Sequence, residues 1–249
     1  MTMIFMASRL ATPPSGGSIV FEDAFTSGID PAWTNNTSGN SFATHHSEDG
    51  GFVRIEYSTE GDHGLNFTLI ERDKKEIYLR MEARQNVRIT HGPKHLKVFG
   101  QSGGGGVSNC TFQILSYGTT YGLTYGDSNS SSNDNSIEWD FNGSDSGGGT
   151  TYTRAEPTLI TGDGPIVQDL NWHRWDYRIR FNDNGVQNGL YVVKYDSVEI
   201  FRLENVWNRA DAHGDIDSFG ISQYMAANVV GNSFTRDYRN VALAYDDWI

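Results

Sequence analysis

The sequence predicts an all-β protein built as an antiparallel β-sandwich of the jelly-roll type, on three observations. Short runs in which apolar and polar residues alternate recur from Ile19 to the C-terminus, bounded by Gly, Asn, Asp and Ser clusters, with no convincing helical stripe. The 28 glycines in 249 residues suit many turns, and an aromatic content of 12% supplies large side chains for a sandwich core. The connections are too short for crossover helices, so the sheets must be mostly antiparallel.

Taken in order, residues 1–18 read as an extended arm: a short apolar start, then Ala11-Thr12-Pro13-Pro14-Ser15-Gly16-Gly17-Ser18, the composition of a linker. Residues 19–249 read as one jelly-roll domain, with no composition shift and no fixed-period repeat. Within it Phe52 to Tyr57 alternates with period two, Glu60 to Gly64 turns, and Leu65 to Ile70 and Ile77 to Arg84 follow as strands. His95 to Phe99, Thr111 to Leu115 and Tyr121 to Tyr125 continue the series. Trp175 to Phe181 is the clearest alternation, with four large apolar residues on one face and Asp176, Arg178 and Arg180 on the other. Asn182 to Gly185 turns, Gly189 to Tyr195 returns, Asp196-Ser197 turns again into Val198 to Leu203, and Tyr238 to Tyr245 closes the chain.

Charge and cysteine content exclude several functions. The net charge of −12 argues against a nucleic-acid partner, because phosphate contacts need a basic face. Cys110 is the lone cysteine, so no internal disulfide and no cysteine metal cluster can form. The stretch Met3-Ile4-Phe5-Met6-Ala7 is too short for a membrane span or a signal h-region, and the expectation is a chain without a classical export signal.

Two polar loops stand out, Gln101 to Asn109 and Asp127 to Asn135. Both read as solvated connections or as a rim over a groove. No cofactor is required by the sequence; a calcium ion, if bound, would use Asp127 and Asp134, at a spacing that matches no EF-hand. His45-His46 with Asp62 and His63 has no metal-ligand spacing. Trp139 and Trp175 are expected in the core, Trp33, Trp172 and Trp207 near loops and exposed, and Trp248 as a cap on the sandwich.

The chemistry candidates begin at Ile137-Glu138-Trp139-Asp140-Phe141-Asn142. On a strand, Glu138, Asp140 and Asn142 share one face while Ile137, Trp139 and Phe141 point inward. This strand resembles the catalytic strand of family 16 glycoside hydrolases, in the concanavalin A-like lectin/glucanase superfamily, whose pattern is Glu-x-Asp-x-Glu or Glu-x-Asp-x-x-Glu. Trp172-His173-Arg174-Trp175, Gly189 to Ile200 and Tyr238 to Tyr245 resemble later strands of that superfamily. The resemblance implies a concanavalin A-like fold, with Glu138 as nucleophile and Asp140 as its assisting carboxylate. The acid/base position, however, holds Asn142 or Gly143, neither of which can protonate a leaving oxygen. A retaining hydrolase is therefore not expected, and Glu138, Asp140 and Asn142, with Trp172 and Tyr125, become candidates for binding sugar hydroxyls.

Polysaccharide lyases of the same superfamily resemble the chain in its His-x-Lys strand and its Trp-His segment. They imply a Tyr or His that removes the C5 proton of a uronate and cations that neutralise its carboxylate. The matching residues are His95, Lys97, Gln113 and Tyr121, with His95 and Lys97 expected on one strand face opposite Leu96 and Val98. The expected function is a non-catalytic, lectin-like module for glycan recognition or assembly, a virion structural or adhesion protein displayed on a virion or extracellular surface, with residues 1–18 docking on an assembly neighbour. The alternative is a lyase that cleaves a uronate-containing polysaccharide by β-elimination.

Overall fold

The computed structural model describes residues 18–35, 43–57, 64–72, 74–85, 91–100, 109–117, 120–128, 143–144, 151–152, 170–206, 214–223 and 234–249. In chain order the strands are β1 (Ile19–Asp23), β2 (Trp33–Asn35), β3 (Ala43–His46), β4 (Phe52–Tyr57), β5 (Leu65–Thr68), β6 (Glu76–Gln85), β7 (His91–Gly100) and β8 (Asn109–Tyr117). Then follow β9 (Thr120–Ser128), β10 (Gly143–Ser144), β11 (Thr151–Tyr152), β12 (His173–Arg180), β13 (Gly189–Tyr195), β14 (Val198–Val206), β15 (Ile216–Gln223) and β16 (Phe234–Ala244). A 3-10 turn, Glu48–Gly50, precedes β4.

Two antiparallel sheets form the sandwich. The larger runs β14-β13-β12-β6-β16-β4-β3, with β1 also paired to β16; the smaller runs β2-β5-β15-β7-β8-β9. Among the described residues β10 and β11 pair only with each other. Sixteen strands and no α-helix among the described residues make the fold an all-β jelly roll. No helix there is long and apolar enough to cross a membrane.

Period-two alternation determines which side chains enter the core. On β12, Trp175, Tyr177 and Ile179 are buried between the sheets, and Ile77, Leu79 and Met81 of the neighbouring β6 meet them. From the opposite sheet come Leu65 and Phe67 on β5, Leu96 and Val98 on β7, and Phe219 and Ile221 on β15. The Asp196-Ser197 turn joins β13 to β14 with both residues at positive φ, 47° and 70°, the two-residue geometry whose twist suits a hairpin.

Trp33 corrects an expectation. Placed near loops by sequence, it is 6% exposed and packs edge-on against Phe67 and Phe219. Its indole N–H donates to the buried Asp23 carboxylate at 2.9 Å, and the other oxygen of that group accepts from the Phe25 amide at 2.7 Å. A short edge strand thus carries a core anchor, because a carboxylate at the end of β1 satisfies the indole.

Candidate functional site

The two sheets turn very different faces outward. On the six-stranded sheet, Leu65, Phe67, Leu96, Val98, Phe219 and Ile221 point inward, so the alternate positions Asn66, Thr68, Lys97, Phe99, Ser218 and Gly220 form the outer surface. Strand register joins Thr34, Asn66, Gly220, Lys97 and Thr111 into one row across β2, β5, β15, β7 and β8. Gly220 has no side chain. Asn66 and Lys97 therefore stand about 9.5 Å apart on either side of this buried glycine, two inter-strand spacings. Thr68 and Ser218 pair in the next row, beside Phe99.

The chemistry of the row is uneven. Asn66 Oδ1 is buried without a hydrogen-bond partner, an acceptor that a hydroxyl or amide donor would satisfy. Lys97 is half-buried, its ammonium 4.9 Å from the centre of the Phe99 ring. A cation, a buried acceptor lacking a donor and a buried glycine lie side by side.

The outer face of the eight-stranded sheet is instead an interlocked ion network. Asp237 accepts from Arg54 through both oxygens, at 2.7 and 2.8 Å, and from Arg84 Nε at 2.9 Å. Arg239 Nε donates to Glu82 at 2.7 Å, while Arg174 and Arg80 converge on Asp176, whose side chain is almost wholly buried. Arg178 pairs with Glu76.

Trp172 belongs to that network. The Arg84 and Arg239 guanidinium carbons lie 4.4 and 4.3 Å from its ring centre, and Phe52 meets it edge-on at 5.7 Å. A ring already engaged by two guanidinium groups is no open platform for a sugar. Trp248 lies at the other end of this face, under the Lys194 ammonium and against Tyr78. His45 Nε2 is 2.7 Å from the Phe25 carbonyl and His46 stacks on Phe52; the described residues contain no cluster of metal ligands.

His95 is the chief correction. It was expected beside Lys97 on the outer face, yet it is fully buried, with its ring 4.8 Å from Trp175 and 5.6 Å from Tyr238. The cause is a β-bulge: Lys94 pairs with Gln113 and Leu96 with Phe112, so β7 spends two residues where β8 spends one. A bulge turns two consecutive side chains to the same side, and both His95 and Leu96 enter the core. There His95 Nδ1 faces Arg236 Nη1 at 3.4 Å and the Tyr238 hydroxyl at 3.2 Å, and its Nε2 has no hydrogen-bond partner. Burial, and then the Arg236 charge, hold its pKa well below the usual imidazole range. Burial likewise pushes the neighbouring Tyr177 hydroxyl well above the ordinary phenol range. His95 is out of reach of any substrate.

The other expected residues fall as follows. Gln113 pairs in register with Lys94 and Thr124, one strand from Lys97, so the structure brings these two to neighbouring strands. Tyr121 and Tyr125 lie on β9 opposite Ser116 and Phe112. Asp127, expected in a loop, is part of β9 and pairs with Cys110. Glu138, Asp140, Asn142 and Asp134 lie outside the described residues, as do residues 1–17 and Trp207. Gly220 was not singled out by sequence, and neither was β15. Its only signal is Ile216, Phe219 and Ile221, whose spacing departs from period two because the β15 register with β7 shifts between Ile216 and Ser218.

No family model matches the sequence, and no curated protein does. Solved structures do share the architecture. The alginate lyase Aly36B, in a variant complexed with an alginate tetrasaccharide, superposes with a TM-score of 0.59 at 11% identity, over 96% of this chain and all of that one. The alginate lyase vAL-1 from Chlorella virus gives 0.58 at 13% identity, over 92% of this chain and all of that one. An endo-β-1,4-glucuronan lyase from the fungus Trichoderma reesei gives 0.54 at 11% identity, over 91% and 95% of the two chains. At such identities the shared property is the fold, an antiparallel β-sandwich of the jelly-roll type.

Proposed function

We propose that this concanavalin A-like jelly roll is carbohydrate-active, and that it takes a uronate-containing polysaccharide along the outer face of the six-stranded sheet. The observation that carries the reading is the Asn66–Gly220–Lys97 row. Lys97 supplies the cation a uronate carboxylate needs, and Asn66 and Gly220 lie beside it in register across β5 and β15. Three similar folds are named as lyases of alginate or glucuronan, both uronate polymers, and one of them holds an alginate oligosaccharide. The chain's net charge of −12 works against a polyanion at long range, so affinity must come from local contacts.

The test is calorimetric titration with alginate and glucuronan oligosaccharides, and with a neutral glucan as control. Binding of a uronate oligomer, weakened at least tenfold by Lys97→Ala, is the expected result. A protein that binds none of them, or binds equally well without Lys97, overturns the reading.

Recognition without chemistry is the simpler form of this proposal, since His95 is sealed in the core. The lyase names of the similar folds favour a second form, β-elimination. In it a base removes the C5 proton, the C4–O bond breaks with the electrons leaving on oxygen, and a double bond forms between C4 and C5. The base would come from a tyrosine that borders this sheet in sequence: Tyr121, or Tyr224, the next residue after β15. Growth of ultraviolet absorbance on mixing with uronate polymers, abolished by Tyr121→Phe or Tyr224→Phe, establishes that form; oligosaccharide binding with no absorbance change leaves recognition. Display on a virion, with residues 1–18 as the attachment arm, extends the reading and is supported by the arm's linker-like composition. Mass spectrometry of purified particles tests it.

A further inference from the structure

The two sheets differ in where their cations stand. Every arginine of the described strands belongs to the eight-stranded sheet, where Arg54, Arg80, Arg84, Arg174 and Arg239 close on that sheet's own carboxylates. The sequences of β2, β5, β15, β8 and β9 hold neither Lys nor Arg. Lys94 and Lys97, both on β7, are therefore the only such residues in the strands of the six-stranded sheet. The chain continues the pattern beyond β7. From Val98 to Thr153 it has no Lys or Arg, while Asp127, Asp134, Glu138, Asp140 and Asp145 all fall in that stretch.

Lys97 thus stands among neutral strand neighbours. In register with it lie Gly220 and then Asn66 on one side and Thr111 on the other, and the exposed outward positions Thr34 and Thr68 carry hydroxyls. Lys94 is three residues away along β7, about 10 Å of extended strand and longer than one pyranose ring. A homopolyuronate carries a carboxylate on every ring. Whether it runs across the strands or along β7, its adjacent carboxylates outnumber the ammonium groups the strands can set against them. Each surplus carboxylate drawn onto the face sheds water without gaining a cation, in the field of a chain whose net charge is −12. A neutral ring beside the uronate avoids both penalties, because its hydroxyls exchange hydrogen bonds with hydroxyls such as those of Thr34 and Thr68.

Resting on the reading that this face takes a uronate-containing polysaccharide, we infer that its ligand is a heteropolysaccharide with each uronate set between neutral sugars, rather than a polymer charged at every ring. The Lys97 ammonium, 4.9 Å from the centre of the Phe99 ring, meets the isolated carboxylate, and neutral rings lie over the strands on either side. Selection is then by the spacing of charge along the saccharide. Surplus carboxylates are repelled through a field that reaches about 30 Å at 0.01 M salt and about 8 Å at 0.15 M, so the preference is strongest at low salt.

The experiment is calorimetric titration of the whole chain with a glucuronan hexasaccharide in three forms: fully ionised, half methyl-esterified at its carboxyl groups, and fully esterified. Linkage and length are the same in all three, so charge density alone varies. The half-esterified form is expected to bind at least tenfold more tightly than the fully ionised one at 0.01 M salt, and the ratio should shrink at 0.15 M. Lys97→Ala should weaken the half-esterified form to the level of the fully esterified one. Affinity that is equal for the two ionised forms, or that rises steadily with ionisation, overturns the preference for spaced charge and leaves the uronate reading standing. Equal binding of all three forms, or binding of none, overturns both.

Discussion

Asp237 and Arg54 form a two-pronged ion pair across β16 and β4, with both carboxylate oxygens engaged at 2.7 and 2.8 Å. The carboxylate is 5% exposed and also accepts from Arg84, while the two guanidinium groups keep 29% and 20% of their surface in contact with solvent. One buried anion thus organises two half-solvated cations.

Removing that anion is the first prediction. Asp237→Asn keeps the shape but leaves Arg54 and Arg84 without their shared countercharge. A fully buried pair broken on one side costs about 3–5 kcal/mol, and solvent at the arginines brings the expected loss to about 2 kcal/mol. Urea unfolding at pH 7 measures it; a change below about 0.5 kcal/mol would show the pair to be ornamental.

Two glycines make a second prediction by contrast. Gly51 has φ of +97°, and a Cβ there would lie 2.3 Å from the Phe25 carbonyl oxygen, so backbone has to move. Gly185 has φ of +69° but open space around it. Gly51→Ala should destabilise by about 3 kcal/mol or more, and Gly185→Ala by only about 1 kcal/mol, the cost of a left-handed residue alone. Equal losses in thermal unfolding would contradict the close approach at Phe25.

Such contacts mark where sequence reading stops. The strand Phe52 to Tyr57, the alternation of β12 and the Asp196-Ser197 turn were legible, because period two and turn chemistry are local properties. His95 was not, because a bulge is a mismatch between two strands and leaves no mark on one. A hint stands two residues upstream in Pro93, which cannot donate to a ladder. β15 was missed for a similar reason: its shifted register puts Ile216, Phe219 and Ile221 in the core at a spacing that mimics no regular element. The row through Gly220 depends on which strands lie next to β15, so no inspection of its own neighbours in sequence could supply Asn66 and Lys97.

Trp172 yields a third prediction. With two guanidinium groups on its ring and a buried N–H that has no partner, it contributes packing and cation–π contact rather than a sugar platform. Trp172→Phe should be nearly neutral in stability, since it keeps an aromatic ring and removes the unsatisfied donor. Trp172→Ala should cost about 2 kcal/mol, less than a core tryptophan because the ring is half-buried. Neither should alter oligosaccharide affinity, and a tenfold loss in calorimetry with the folded Phe variant would return Trp172 to the binding site.

Gly220 provides the sharpest test of the outer face. It sits between Asn66 and Lys97 in register, inside a strand whose inward neighbours Phe219 and Ile221 are fully buried. A β-branched residue there suits the strand conformation, so Gly220→Val should fold. Its methyl groups would raise the surface between Asn66 and Lys97 and hold a sugar ring away from that row. Uronate oligosaccharide binding is expected to weaken at least tenfold while the melting temperature stays within a few degrees of wild type. Binding that survives the valine unchanged would mean that the saccharide lies elsewhere, and that the row of Asn66, Gly220 and Lys97 is a polar surface with no ligand.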